Sequence, residues 1–512
     1  MGIFSRLTTA IAPVTSLKRA RARIQLDAIR AYEAAKPSRT RATKRETRSA
    51  DNAVFAAGVS LREQARWLDE NHDLAIGVLD KLEERIVGPH GIQIEPQPLT
   101  LAGDVHEDFA ALLASRFAKW AENPDVTGMF TLAEAERILL RSALRDGEVF
   151  IQLLRGAVPD LKYDTPEQFA LELLEADFVP MWPSGADGSN RIIQGITVNR
   201  WGCPVGYCVY KNHPGAGFST DTRQIPAENM LHLAVRKCLH QVRGVSLFHG
   251  VMSRLGDLKS YEDAERVAAR VSAMLGFYIK RGDASVYGDD ADWTSPDNSY
   301  RDFEMAPGMI YDRLAPGEEL QMLSSDRPNP NLMDFRNGQL RALAAGVRTG
   351  YSSIARDYNG TYSAQRQELI EAGDGYAVMQ NWFISRVVRP VYREWLKMFL
   401  LSGVEVPADV DPESLFDAVY MGPVLPWIDP QKESEAWKAQ IRGGAATEAE
   451  WIRARGRSPL AVKLQRRREI KFNKTAGLVF DTDPANDNGS QSNDAKNDAG
   501  TASQRPGENR GG

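Results

Sequence analysis

Residues Val245–Tyr278 read VSLFHGVMSRLGDLKSYEDAERVAARVSAMLGFY. Proline is absent, and Gly250, Gly256 and Gly276 stand alone, which weakens a helix without ending it. Leu247, Val251, Leu255 and Leu258 recur at helical spacing, and Ala264, Val267, Val271, Met274 and Tyr278 continue the stripe. The pattern predicts one helix over 245–279, roughly 50 Å long at 1.5 Å per residue, well beyond the usual globular helix. A single domain seldom needs such a rod, whereas a helix packed sideways on neighbouring copies of the chain does.

Downstream, residues 280–330 turn rich in Gly, Asp, Ser and Pro (GDASVYGDDADWTSPDNSY, SSDRPNP), a small module with short strands near Met309–Arg313 and Glu319–Leu323. A second helix is expected over Leu332–Val347, with Asn331 as its cap and Leu332, Phe335, Leu340, Leu343 and Val347 inward. The order is therefore rod, module, rod, and an antiparallel return would put the module at the tip. Thr349–Ser363 (TGYSSIARDYNGTYS) is small, polar and rich in tyrosine, with an Asn-Gly turn signal. Its bland reading is a helix–helix connector. A long helix then starts at Ser363 and runs to about Leu401, with bends expected near Gly373–Gly375 and Pro390. Two further helices fall in 426–456. Residues 476–512 are low in complexity and read as a disordered tail.

Upstream, residues 51–244 read as α+β. Ser60-Leu61-Arg62-Glu63 has the form of a capping box, and Gly88-Pro89 stops the helix that carries Leu74, Val78, Leu79, Leu82 and Ile86. Thr131 caps a helix running to Asp146. Strands follow at Glu148–Leu154, Phe169–Phe178, Ile192–Val198 and Val205–Tyr210, with a hairpin turn at Asn199–Gly202. Residues 1–50 form a basic arm in which Arg and Lys far outnumber Asp27, Glu33 and Glu46. Contact with nucleic acid or an acidic partner and a solvated tail account for it equally well.

The 512 residues carry a net charge of −5, whereas a protein that grips DNA through its phosphates is strongly basic. Any contact with nucleic acid must be local or non-adhesive. Three cysteines, Cys203, Cys208 and Cys238, form neither a disulfide framework nor a zinc knuckle. No run of eighteen apolar residues spans a membrane. The basic residues of the N-terminus follow its apolar stretch, the reverse of a secretory signal. Gly2 alone is a weak myristoylation match.

Phosphate-cradling, nucleophile-elbow and zinc-protease motifs are all missing. Neither catalytic residue, cofactor nor metal is assigned, and no enzyme is expected. Two other readings stay open. One is a metal-dependent nuclease or hydrolase using Asp289, Asp290 and Asp292, or the His232/Cys238 region. The other is a monomeric DNA-binding adaptor using the basic arm. Solvated loop charges explain the acidic group more simply, and an apolar run around His232 makes it a buried structural histidine. Arg466, Arg467 and Arg468 are as well explained by a charged helix face as by DNA contact.

Four stretches, in order, resemble the lambda-type phage portal family: Trp201-Gly202-x-Pro204-Val205-Gly206-Tyr207; Ile225–His232; Gln241-Val242-Arg243-Gly244-Val245-Ser246; and Tyr358-Asn359-x-x-Tyr362-Ser363-Ala364-x-Arg366. The similarity covers roughly residues 50–460. It implies an α+β, mainly helical portal fold. Residues 51–244 would be the wing, 245–279 and 331–349 the paired stem helices, and 280–330 a small α/β clip. Residues 350–362 would be the tunnel loop, and 363–475 a long helix, the remaining wing and the crown. It further implies a ring of twelve copies at one capsid vertex of the virion, assembled in the bacterial cytoplasm. Double-stranded DNA would be packaged and ejected through that ring. The large terminase subunit and head-completion proteins would dock on the clip, and the major capsid or scaffold protein would surround it.

On that reading Tyr351, Ser352, Ser353, Tyr358, Asn359, Gly360, Thr361 and Tyr362 face the DNA channel. Leu247, Val251, Leu255, Leu258, Val267, Val271, Leu340, Leu343 and Val347 pack the stem between subunits. A hydroxyl-rich lining suits transit, because a basic one traps DNA through counterion release.

Overall fold

A computed structural model describes residues 18, 21–22, 47–217, 221–273, 277–281, 318–322, 331–424 and 429–480. The chain divides into two units, Met1–Ala56 and Ala57–Gly512. Nearly all of the basic arm, residues 481–512 of the tail, the strand expected at Met309–Arg313 and the group Asp289, Asp290 and Asp292 lie outside the described residues.

Helix α1 spans Ala50–Asn71 and α2 spans Asp73–Ile86. The helix start expected at Ser60 is absent: the alanine-rich run before it already favours helix, and Ser60 accepts the Gln64 amide within α1. Strand β1 (Gln93–Pro96) and helix α3 (Glu107–Trp120) follow. Helix α4 (Leu132–Asp146) opens on a capping box, in which Thr131 Oγ1 accepts the Glu134 N–H and the Glu134 carboxylate accepts that of Thr131.

The strands are β2 (Glu148–Arg155), β3 (Phe169–Glu175), β4 (Gly185–Asp187), β5 (Asn190–Ile193), β6 (Ile196–Val198), β7 (Pro204–Tyr210), β8 (Thr222–Pro226) and β9 (Met230–Ala234). The strand expected over Ile192–Val198 is really two. Gln194 and Gly195, at φ of 50° and 80°, fold it into a two-residue hairpin. One antiparallel sheet has the order β3-β2-β9, and β4 to β8 form a five-stranded meander. Strand alternation divides the core between them. Val149, Ile151, Leu153, Phe169, Leu171 and Leu233 face the helices. Phe150, Leu174 and Met230 face the meander's Ile196, Val198, Tyr207, Val209 and Ile225. β2 is thus covered on both faces.

The first long helix is shorter than its stripe. Leu247–Gly250 is a 3₁₀ turn, α5 runs over Met252–Ala273, and Phe277–Arg281 is strand β10. Twenty-two residues make about 33 Å. β10 pairs antiparallel with β11 (Glu318–Met322), Phe277 opposite Met322 and Arg281 opposite Glu318. The aromatic and β-branched run Phe277-Tyr278-Ile279 favours extended pairing over helix, and this corrects the boundary expected at 279. Helix α6 spans Leu332–Val347, but the Asn331 side chain makes no cap hydrogen bond.

A short helix α7 (Tyr351–Ala355) precedes α8 (Tyr362–Phe383), a π-helical segment Ile384–Val388 and α9 (Arg389–Leu401). Pro390 has no N–H to give and would crowd the carbonyl four residues back; the wider π turn ahead of it absorbs the conflict. Gly373 and Gly375 stay helical. Strand β12 (Ala418–Met421) pairs antiparallel with β1. Helices α10 (Pro430–Arg442), α11 (Glu448–Arg453) and α12 (Pro459–Ala476) complete the described chain; the last carries Arg466, Arg467 and Arg468 on a helix. No described helix is long and apolar enough to cross a membrane. The fold is α+β and mainly helical.

The main core gathers α2, α3, α4, α8 and α9 around Phe117, Trp120, Tyr392, Trp395 and Phe399. One carboxyl is buried beside it. Glu136 accepts the Ile92 N–H at 2.8 Å, and burial pushes its pKa up to about 8 against that hydrogen bond. The folded state then holds a proton that the unfolded chain releases near 4.5. This stabilisation is whole below pH 4.5 and is lost as pH rises towards 8. Glu136→Gln should be more stable than wild type by on the order of 3 kcal/mol at pH 7 and little changed at pH 4.5. Urea unfolding at the two pH values checks it; identical pH slopes in both proteins would contradict it.

Candidate functional site

α5 and α6 run antiparallel. Arg254 donates to Gln339, Tyr261 meets Phe335 with ring centroids 4.8 Å apart, and Arg336 pairs with Glu262 at 2.7 Å. Close approach depends on Gly346, where a Cβ would lie 2.5 Å from Val251 Cγ1. Most stem residues expected to pack between subunits are committed within the chain instead. Val251, Leu255, Leu258, Leu340, Leu343 and Val347 are buried in the main core, and Leu247 packs on it. Val267 is 54% exposed, and the Val271 side chain lies outside the described residues. The physical reason is that α1 and α2 cover the base of the pair: His72 at their junction meets the Leu255 carbonyl at 3.1 Å, and the Asn71 carbonyl accepts from Lys259. Among these nine positions, the side chain seen exposed is the one nearer the tip of the pair.

The base of α5 is fixed by a buried charge cluster. Glu148 opens β2, and its carboxylate accepts from Arg243 Nε at 2.7 Å, from the Gly244 N–H at 2.9 Å and from Arg62 at 3.3 Å. Arg243 is fully buried and also donates to the carbonyls of Ala176, Val179, Pro180 and Gln194, so all five of its N–H groups are used. His232 lies 3.0 Å from Glu148 through Nε2 and 3.1 Å from Arg236 through Nδ1. Arg236 only donates, so Nδ1 accepts and Nε2–H donates to Glu148. Burial, with Arg236 and Arg243 beside it, pushes the imidazole down to about 4 despite Glu148. Burial disfavours ionised Glu148, but Arg243 and His232 outweigh it and hold the carboxyl well below its usual range.

His232 is therefore a structural residue, and Cys238 is exposed. Among the described residues, Glu175, Asp177 and His213 bring ligand-type atoms within 4.8 Å of one another. Asp177 is already paired with Arg62 and Arg66. His213 Nδ1 accepts the Gly215 N–H, which leaves the proton on Nε2, facing Glu175 at 3.4 Å. With Asp177 already held by two arginines, the three side chains read as a structural polar cluster.

The Tyr-rich segment divides in two. Arg348 and Arg356, both left-handed at φ of 59° and 52°, bracket α7. Tyr351, Ser352 and Ser353 thus fall in a helix, contrary to the loop expected over 350–362. They are half-buried, the Ser352 N–H donates to Glu368 Oε1 at 2.9 Å, and Tyr351 lies under the Arg341 guanidinium and reaches Asp357 at 3.2 Å. Tyr358, Asn359, Gly360, Thr361 and Tyr362 are exposed. Asp357 accepts the Asn359 N–H, Gln365 donates to the Tyr358 carbonyl, and Thr361, not Ser363, caps α8. Nor is the segment purely neutral, since Arg356 and Arg366 are exposed on it. Glu368 escaped sequence reasoning because it meets Ser352 sixteen residues away; Gly350, where a Cβ would lie 2.8 Å from Glu368 Oε1, is its only trace in the sequence.

The family described as phage portal protein, lambda family, matches residues 36–380. The chain belongs to that family. Among portal proteins it is 27% identical over 449 residues to the probable portal protein of Halomonas phage phiHAP-1, covering 84% of this chain and 83% of that one. It is 22% identical over 329 residues to portal protein B of Escherichia phage lambda, covering 58% and 61%, and 21% identical over 328 residues to the portal protein of Escherichia phage N15, covering 58% and 62%. Solved structures that resemble it include the neck of a native gene transfer agent particle computed with C12 symmetry, at TM-score 0.39 and 12% identity, covering 77% of this chain and 92% of that one. A virion of the native gene transfer agent aligns at TM-score 0.39 and 12% identity, covering 79% and 97%. In this portal-family chain the Gln241–Ser246 stretch carries the Arg243 cluster, and Tyr358–Arg366 carries the exposed segment and the start of α8.

Proposed function

We propose that the chain is the subunit of a portal ring at one capsid vertex of a phage virion, assembled in the host cytoplasm, with double-stranded DNA packaged and ejected through its centre. The reading rests on the family and on one structural observation: an exposed Tyr-rich segment, Tyr358–Tyr362, held at the end of an antiparallel helix pair. Tyr, Asn and Thr side chains touch phosphates without trapping them, as transit requires. Twelve copies close the ring, the exposed faces around Val267, Met333 and Phe335 packing on neighbours. Residues 280–330 form the clip that receives the large terminase subunit during packaging and head-completion proteins afterwards, and the major capsid or scaffold protein surrounds the ring. The subunit performs no catalysis; packaging is driven by the docked terminase.

Particle mass and negative-stain imaging of the full chain test this directly. Rings with an axial hole are expected, and monomers at every concentration would overturn it. Within that frame, Tyr358→Ala with Tyr362→Ala should leave rings and melting temperature unchanged while packaged DNA falls severalfold. Normal packaging by the double variant would remove the segment from the channel.

A further inference from the structure

Behind the exposed segment, α2, α7 and α8 enclose a cavity of about 260 Å³. Its wall carries Lys81, Arg85 and Arg366 against one carboxylate, Glu368. Lys81 pairs with Glu84 at 3.1 Å, and Glu368 is occupied by the Ser352 N–H. Arg85, half-buried, and Arg366 have no ion pair within 4.0 Å among the described residues. The wall also holds Tyr376, 5% exposed, whose hydroxyl has no hydrogen-bond partner. The Gly350 amide bears on that oxygen without meeting hydrogen-bond geometry, which leaves the phenolic proton undonated. An undonated buried O–H is costly, and an uncompensated guanidinium beside it raises the local positive potential. Both are relieved by an acceptor carrying negative charge. The hydroxyls of Ser352 and Ser353 line the same cavity and offer further donors.

We propose that this cavity binds a phosphate group, with Arg85 and Arg366 as its charge partners and the Tyr376 hydroxyl donating to it. A guanidinium fork matches two phosphate oxygens at once, and about 260 Å³ leaves room for the group. The phosphate has two sources: the backbone of passing DNA, or free phosphate that sets the position of α7 and the exposed segment from behind. The inference concerns the single chain and does not require a ring, so phosphate binding and ring formation fail independently.

Isothermal titration of the full-length protein with inorganic phosphate at low ionic strength, with chloride as control, decides it. Saturable phosphate binding is expected, weakened roughly tenfold or more in Arg85→Gln, as loss of one charge-assisted contact implies, and weakened also in Tyr376→Phe. Arg85→Lys should keep part of it. Tyr376→Phe removes one oxygen and nothing of the packing, so it reports even where Arg85→Gln is perturbed. If a short DNA duplex competes with phosphate, and both variants weaken its binding, the phosphodiester backbone enters the cavity. If the duplex does not compete, the ligand is free phosphate. Chloride acting as well as phosphate, or unchanged phosphate binding in both variants, would overturn the proposal.

Discussion

Arg243→Met should remove about 3–5 kcal/mol of folding stability, read from the urea midpoint, and Glu148→Gln in the same chain should restore a large part of it. The loss arises because Glu148, fully buried, is then left ionised with a neutral imidazole, Arg62 and the Gly244 N–H as its remaining partners, while the carbonyls of Ala176, Val179, Pro180 and Gln194 lose their donor. Arg243→Lys keeps the charge but offers three rotatable donors where five are used, so it should fall between the two. Loss of the Arg243 cluster also has a pH signature. His232 is held below its ordinary 6.5, at about 4, and Glu148 is lowered as well. For groups with depressed values the stabilisation is whole above the unfolded value and is lost as pH falls. Wild type should weaken from pH 6.5 towards 4, a slope that His232→Gln reduces. An Arg243→Met protein that unfolds with wild type would mean that Glu148 does not depend on it.

The second large effect is expected one residue on. Gly244→Ala should cost about 3 kcal/mol or more, because its Cβ would stand 1.9 Å from the Gly147 carbonyl oxygen. The obstacle is backbone, and it cannot rotate away. Gly147 meets the reciprocal limit, its Cβ falling 2.4 Å from the Val245 carbonyl carbon, at a φ of +95° that side chains rarely adopt. The Gly147 carbonyl also accepts the Val235 N–H at 2.8 Å. The crossing thus joins the end of α4, the end of β9 and the approach to α5 with no side chain between them. Alanine there should lower the melting temperature and, with it, the yield of assembled protein. A Gly244→Ala protein with wild-type melting would show that the crossing opens freely.

Much of the fold was legible where periodicity acts locally. The span of α6 and the N-cap at Thr131 depend on neighbours three or four residues away. The end of α5 did not read from its stripe, because Phe277–Arg281 becomes strand only by pairing with Glu318–Met322. Helix-spaced residues and strand-forming residues overlap there, and the partner decides. The Arg243-Gly244 pair was visible as a family stretch, but its physical meaning was not, since Glu148 lies 95 residues from Arg243. A charged residue opening the apolar strand EVFIQLL was the available hint. The Tyr-rich segment 350–362 was expected as one loop, yet only its second half, Tyr358–Tyr362, is exposed, because nothing near Ser352 announces Glu368.

The β10–β11 ribbon has a topological corollary. Its antiparallel register holds Arg281 opposite Glu318, so the chain leaves and re-enters through two points one strand spacing apart, about 5 Å. Any insert whose own ends lie that close can be spliced there without moving α5 or α6. The ribbon therefore works as a clasp: it sets the separation of the two attachment points of residues 282–317, whatever the length of chain between them.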